Sequence, residues 1–589
     1  MTAPLNDNVP ALGASREADA ADAVPWVLRL SVVIPLGIVL FYASLRTGFF
    51  LDDFSQSLMV EGRFPALRGP TNLYDFVEPS SHALLAPRGL LPWWFHPDLQ
   101  IRFFRPLASA LLYADHRLFG HAPLPFHLHS LLWWVLAIFS VRGLLLRSFS
   151  PRQAALATAI FALSPCHSLP LAWIANREAL LAITFGTLGL SAHRSLLDGG
   201  RFKHAALAAL AFFFALLGGG EYGLAFFGYV LASLVVRSAS PKRRAAGIFA
   251  FLIPASVYMG ARTALHYGAA GSGFYADPLR EPLTFLRSAP FRFVAQLSDG
   301  WLTIGSVSFQ TTAERWGLVA IVLMAAMVVV RPIRDALRSL PERQREEATR
   351  LLLGSLLALV PTLAVVPAMR LLGASMVGIA LTSAVVIERA WLPREGAATL
   401  DPLASGAALL LGFAQLVHGP GTSFLEARHH RAAAQDFADR VDVLAKAKDP
   451  KGGRALVVVR GSPLVYFAPF ALEVRGAPAT SWTVLSQSGR VLLLRTGERS
   501  IDLVTARTGA LYPAGERNLY RDDTRPFKVG DVLPGPGIKV TVLEMNDIGP
   551  WRIRVDFDEN PEEMLWVADT YKEMVEIALP PIGKGLPID

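Results

Sequence analysis

The chain has 589 residues, of which 52% are hydrophobic and only 18% charged, against roughly 45–50% and 25% in an average soluble domain. Its mean hydropathy of +0.38 excludes an ordinary soluble globular protein and specifies a mainly α polytopic membrane protein. The formal charge of +8 and pI near 9.6 do not indicate nucleic acid, because the basic residues cluster in short links between apolar runs, where they suit membrane lipid headgroups.

In chain order, residues 1–24 are polar, Ala-rich and of mixed charge, and read as a disordered cytoplasmic leader. A spanning helix needs about 20 mostly apolar residues, and about eleven such runs follow. They fall near 26–46, 122–146, 153–169, 178–196, 204–220, 222–237, 245–264, 316–333, 351–367, 371–389 and 402–418. The first lacks a small-residue cleavage pattern after it and reads as a retained signal-anchor. Alternate links carry Arg142, Arg147 and Arg152; Arg194, Arg201 and Lys203; Arg237, Lys242, Arg243 and Arg244; and a run from Arg331 to Arg350. The positive-inside tendency places these in the cytoplasm, as expected of a bacterial inner-membrane protein. The loops 47–121 and 265–315 and everything after 420 then lie outside it.

Loop 47–121 contains Pro92-Trp93-Trp94-Phe95 and Arg102-Phe103-Phe104-Arg105-Pro106. Aromatic rings favour the headgroup level, so helices lying on the outer membrane surface are expected here. Loop 265–315 interleaves Phe274, Tyr275, Phe285, Phe291 and Phe293 with Arg280, Arg287 and Arg292, arginines placed to snorkel toward headgroups. From 421 to 589 the pattern changes to an amphipathic helix over Glu426 to Lys448 and strand-like runs at Ala455–Val459, Val491–Arg495, Ile501–Val504, Ile538–Leu543 and Trp551–Phe557. In the last, apolar Trp551, Ile553, Val555 and Phe557 alternate with charged residues. The tail is expected to be a β-rich extracytoplasmic domain, and the single cysteine, Cys166, excludes an intrachain disulfide, so the tail must be stable through its own core.

Asp52 and Asp53 follow the first apolar run, amid Phe49, Phe50, Leu51 and Phe54. An Asp pair there can simply cap a helix. Apolar surroundings, however, raise the proton affinity of a carboxylate and fit it to take a proton from an attacking hydroxyl or amine. On the same side lie Arg102, Arg105, Arg177 and Arg370, whose planar forks suit a lipid-linked phosphate or pyrophosphate. Glu178, Glu221 and His167 are supporting candidates at helix junctions. No His/Cys/carboxylate cluster has zinc spacing, but Asp52 or Asp53 with substrate oxygens suffices for a divalent cation such as Mg or Mn.

The placement of Asp52-Asp53 after the first span, the Arg102–Leu107 run with Leu118-Phe119-Gly120 and His127 downstream, and Ser164-Pro165-Cys166-His167 followed by Trp173–Ala182 resemble the polytopic GT-C glycosyltransferases. The nearest likeness is to the protein O-mannosyltransferase type and its tetratricopeptide-bearing relatives. The resemblance covers about residues 26–390. It implies a polyprenyl-phosphate sugar donor, an extracytoplasmic acceptor, Asp52 or Asp53 as catalytic acid/base in an inverting displacement, and Arg105, Arg177 and Arg370 near the donor phosphate. The chain departs from the pattern at Asn176-Arg177-Glu178, where relatives have Gly-Arg-Asp, at Gly220-Glu221, where they have Lys-Glu, and at Met369, where an acid often precedes the arginine. The tail replaces their helical repeats. Two other functions are compatible with the same polar residues: a lipid-linked glycan transporter or flippase, and a catalytically inactive envelope scaffold.

Overall fold

The computed structural model describes residues 24–236, 239–391, 401–447, 455–570 and 573–589. Apart from Val24 the expected leader lies outside them, as do Arg237 and Lys448. Among the described residues six helices are long and apolar enough to cross a bilayer: Pro123–Leu145, Ile174–Leu197, Pro241–Ala264, Thr312–Arg338, Glu342–Ala364 and Pro402–Lys446. A seventh crossing results if Pro151–Ala162 and Pro165–Ala172, bent by 48°, act as one. The remaining apolar runs fold as shorter helices, among them Leu30–Leu40, Lys203–Gly219, Glu221–Val236 and Met376–Trp391.

Local chemistry sets these limits. Ser150 and Gln153 cap Pro151–Ala162 reciprocally, as Thr311 and Glu314 cap Thr312–Arg338, each pair satisfying two free backbone amides. Ser164 caps the turn that starts at Pro165 by accepting from Cys166 N, and proline, which cannot donate, makes the break there. The last apolar run and the amphipathic helix expected after it form one rod, passing through a π-turn at Ala414–His418.

Loop 47–121 does supply helices, Asp52–Glu61 and Pro106–Phe119. It also supplies strands β1 (Asp75–Val77) and β2 (Gln100–Arg102), with β3 (Gly268–Ala270) coming from the second loop. The three form an antiparallel sheet in the order β1-β2-β3, which ties the two loops together.

The tail is built from β4 (Ala455–Val458), β5 (Ser481–Val484), β6 (Val491–Arg495), β7 (Ser500–Val504), β8 (Val532–Gly535), β9 (Ile538–Met545), β10 (Pro550–Phe557), β11 (Leu565–Asp569), β12 (Met574–Glu576) and β13 (Gly585–Ile588). An antiparallel sheet runs β13-β6-β7-β10-β9-β8, and a mixed one runs β12-β11-β4-β5 with β4 parallel to both neighbours. All five strand runs read from sequence are present. In β10, Ile553, Val555 and Phe557 are buried while Arg552 and Arg554 turn to Asp502.

Three expectations are corrected. Trp93 and Trp94 do not sit at headgroup level. They are buried against the tail, with Trp94 stacked on Tyr512 and Trp93 Nε1 donating to the Leu485 carbonyl at 3.0 Å. One hydrophobic core joins loop residues such as Phe54, Leu58, Trp93 and Trp94 to tail residues such as Trp482, Leu493 and Val555, so the tail does not rest on a core of its own. Each such ring removes about 150–250 Å² from water, at most roughly 4–6 kcal/mol, enough to make this docking permanent. Gly89 permits the approach, since a Cβ there would stand 1.4 Å from the Trp482 carbonyl oxygen. Nor does Arg292 snorkel: it is buried, donating to Glu516 at 2.9 Å and to the Leu363 carbonyl. Its partner lies in the tail, over 200 residues on, beyond the reach of a local reading.

Candidate active site between two cavities

Asp52 opens the helix Asp52–Glu61, and the residue before it is strained. Leu51 has φ 52° and ψ −118°, a conformation natural to glycine and costing other residues about 1–3 kcal/mol. Gly220 takes nearly the same angles, φ 57° and ψ −114°, immediately before Glu221. The turn sends the two neighbouring carboxyls to different places. Asp53 is buried, its oxygens accepting from Phe50 N and Ala175 N at 2.9 Å each. Asp52 lines a cavity on either side of it; Ser55 Oγ donates to its backbone carbonyl at 2.8 Å, while its carboxyl accepts no hydrogen bond among the described residues.

Burial pushes the Asp52 carboxyl up to about 7, with nearby Glu178 adding to the rise and Arg370 and Arg105 opposing it. Burial pushes Asp53 up to about 8 against the two backbone amides that favour its charge. The expected rise in proton affinity is present at both. Only Asp52 combines it with access to a ligand.

The first cavity, about 380 Å³ in volume, lies against membrane helices, with Leu224, Met259, Phe285 and Val360 in its wall. Its charged lining is Asp52, Glu178, Glu221 and Asp277 with Arg105, Arg262 and Arg370. Most of these cancel locally. Arg105 reaches Glu178 at 3.2 Å and Glu221 at 3.4 Å, and Arg262 pairs with Asp277. Asn176 holds Glu178 at 2.9 Å. Arg370 forms no ion pair among the described residues; it donates to the Tyr222 hydroxyl at 2.8 Å and lies 5.6 Å from the Trp173 ring. It is the lining guanidinium left free for an added anion.

The second cavity, also about 380 Å³, lies between the loops and the tail. Phe64, Phe274, Tyr466, Phe467, Phe470 and Tyr520 supply aromatic walls, and Ser55, Gln487 and Arg517 supply polar groups. Asp52, Arg370, Trp173, Tyr275, Phe76 and Phe103 line both cavities.

The structure thus brings together Asp52, Arg105, Glu178, Glu221 and Arg370, and sets other candidates apart. Arg102 is on β2, paired with Asp75 at 2.8 Å and Glu78 at 3.1 Å. Arg177 is buried against Asp115, Ser130 Oγ (2.9 Å) and the Phe126 carbonyl (2.8 Å). His167 is fully buried and bonds the Phe161 carbonyl at 3.0 Å. None of these three lines either cavity. Sequence reasoning missed Tyr222, whose hydroxyl accepts from Arg370, the shared wall of Tyr275, and the Arg262–Asp277 pair. The only local signal was the density of aromatics beside arginines. Among the described residues no three of His, Cys, Asp and Glu gather in a metal-holding arrangement. A cation would have Asp52 as its protein carboxylate, since both oxygens of Asp53 are engaged.

No family model matches the chain, and no curated protein matches it. Among solved structures it is similar to ArnT from Cupriavidus metallidurans bound to undecaprenyl phosphate, with 15% identity over 76% of this chain and 85% of that one, and a TM-score of 0.41. It is also similar to the Archaeoglobus fulgidus oligosaccharyltransferase tethered with an acceptor peptide, at 14% identity, 77% and 64% coverage and a TM-score of 0.39. A third is the arabinofuranosyltransferase AftD from Mycobacteria, at 14%, 75% and 30%, with a TM-score of 0.34. The chain spans less than two thirds of the second and less than a third of the last.

Proposed function

We propose that the protein is a membrane glycosyltransferase of the GT-C type that moves a sugar from a polyprenyl-phosphate donor to an extracytoplasmic acceptor. One observation carries this reading: a carboxyl poised near neutrality and an unpaired guanidinium, Asp52 and Arg370, stand in the wall common to two cavities. The membrane-side cavity takes the donor and the tail-side cavity the acceptor. The acceptor hydroxyl loses its proton to Asp52 as its oxygen attacks the anomeric carbon, and the bond from that carbon to the phosphate oxygen breaks. The electron pair leaves with the polyprenyl phosphate, where Arg370 meets the developing charge. Attack opposite the leaving group inverts the anomeric centre.

Arg105, already shared between Glu178 and Glu221, shapes the cavity rather than neutralising a second phosphate. A single free guanidinium favours a monophosphate donor over a pyrophosphate. Asp53 ties the Phe50–Asp53 turn to Ala175 and positions Asp52.

The test is sugar transfer from polyprenyl-phosphate donors in proteoliposomes. Asp52→Asn lowers the rate by about 10²–10⁴ without lowering Tm, because no hydrogen bond is lost. Asp53→Ala lowers Tm, since it strands two buried amides at about 1–3 kcal/mol each. Wild-type turnover in Asp52→Asn would refute the assignment.

A further inference from the structure

A third and larger cavity, about 520 Å³, lies away from the candidate active site, between the helices Pro282–Leu302, Thr312–Arg338, Glu342–Leu357 and Pro402–Phe413. Its lining is apolar along Val322, Ala325, Ala326, Val329, Val330 and Ile333, and then changes character within one helical turn at Arg334 and Arg338, with Arg345 and Thr349 across from them. We infer that this cavity binds a bilayer phospholipid with an anionic headgroup, one acyl chain in the apolar groove and the phosphate against Arg338 and Arg345.

Charge and position together single out these two arginines. Arg350 is matched with Glu347, Arg331 with Asp335 and Asp401, and Arg334 with Asp335, while Arg343 lies outside the cavity lining. Arg338 and Arg345 are exposed at the rim and form no ion pair among the described residues. Two uncompensated cations at the mouth of an apolar groove complement a phosphate ester joined to a hydrocarbon chain.

Dimensions choose the kind of lipid. At 1.5 Å per residue the apolar lining from Val322 to Ile333 is about 17 Å long, and the turn from Arg334 to Arg338 adds about 6 Å. One leaflet of hydrocarbon is about 15 Å deep, so the groove has the proportions of a single leaflet and its headgroup layer. A polyprenyl chain would overrun it.

The readout is native mass spectrometry of the detergent-purified full chain, titrated with phosphatidylglycerol or phosphatidylethanolamine. Wild type is expected to hold one phosphatidylglycerol that survives delipidation and to prefer it over phosphatidylethanolamine. The double variant Arg338→Gln/Arg345→Gln binds it about 25-fold more weakly, roughly fivefold for each arginine near the surface. Arg343→Gln, a neighbouring arginine outside the cavity lining, leaves binding unchanged and controls for general surface charge. Ala326→Trp fills the groove and displaces the lipid even with both arginines present. Equal binding of both lipids, or an unchanged constant in the double variant or in Ala326→Trp, would each overturn the inference. All these readouts are independent of sugar transfer.

Discussion

The two cavities that meet at Asp52 have equal volume and unlike walls. The membrane-side one carries four carboxyls and three guanidiniums among apolar helix residues, whereas the tail-side one is richer in aromatic rings, with Asp52, Arg370 and Arg517 as its charged groups. Under the proposed function the contrast separates two tasks. A site that must neutralise a phosphate needs charge held in a low-dielectric wall, where its effect is large. A site that only has to present a hydroxyl can rely on shape and ring contacts. Both tasks converge on the few residues that the cavities share.

The largest effect beyond loss of Asp52 itself is expected from Arg370→Gln. It removes the free guanidinium and should lower kcat/KM by about 10²–10³ with folding intact, since no carboxylate loses a partner; steady-state transfer assays and thermal melts check both halves. Next comes a pair of variants aimed at one cavity each. Met259→Trp should raise the donor KM about tenfold and leave the acceptor KM alone, and Phe467→Trp should do the reverse, the cost being that of overpacking a formed pocket. If either variant moved both constants equally, the division of labour would fail.

A smaller, graded effect follows from pH. Asp52 must be ionised to accept a proton, and its carboxyl is lifted to about 7, so kcat should rise about tenfold from pH 6 to pH 8. For stability the sign is opposite. The folded state holds this proton more tightly than the unfolded chain, whose value is 3.8, so stability is greatest below that value and is lost as pH rises toward about 7. Asp52→Asn should flatten that part of the Tm profile. The smallest effect is that of Leu51→Gly, which relieves the strained turn. A change in kcat of a few-fold with little change in Tm is expected, as relief of strain is offset by the greater freedom of glycine in the unfolded chain.

The sequence made some of this legible and hid the rest for identifiable reasons. Five of the tail's ten described strands were legible as apolar runs, most clearly β10 with its alternation, while β5, β8, β11, β12 and β13 were not. The sheet of β1, β2 and β3 could not, because each strand has three residues and the partners come from loops far apart in the chain. Asp52 and Asp53 were visible as a pair beside an apolar run. Their separation into one accessible acid and one structural acid depends on the backbone of Leu51, which no composition or spacing encodes. Arg102 and Arg177 fitted a phosphate site by type and side, yet Asp75 and Asp115 had already engaged them. Arg370 was singled out by type and position, and its freedom from a carboxylate shows only in three dimensions.

The core that joins loop 47–121 to the tail has a consequence for biosynthesis. Trp93 and the Leu485 carbonyl to which it donates are 392 residues apart. At about 5–20 residues per second, the ribosome needs roughly 20–80 s to deliver the second after the first. Through that interval the indoles of Trp93 and Trp94 have no final resting place, and a nascent chain in that condition is a natural client for a holding chaperone or the membrane surface itself.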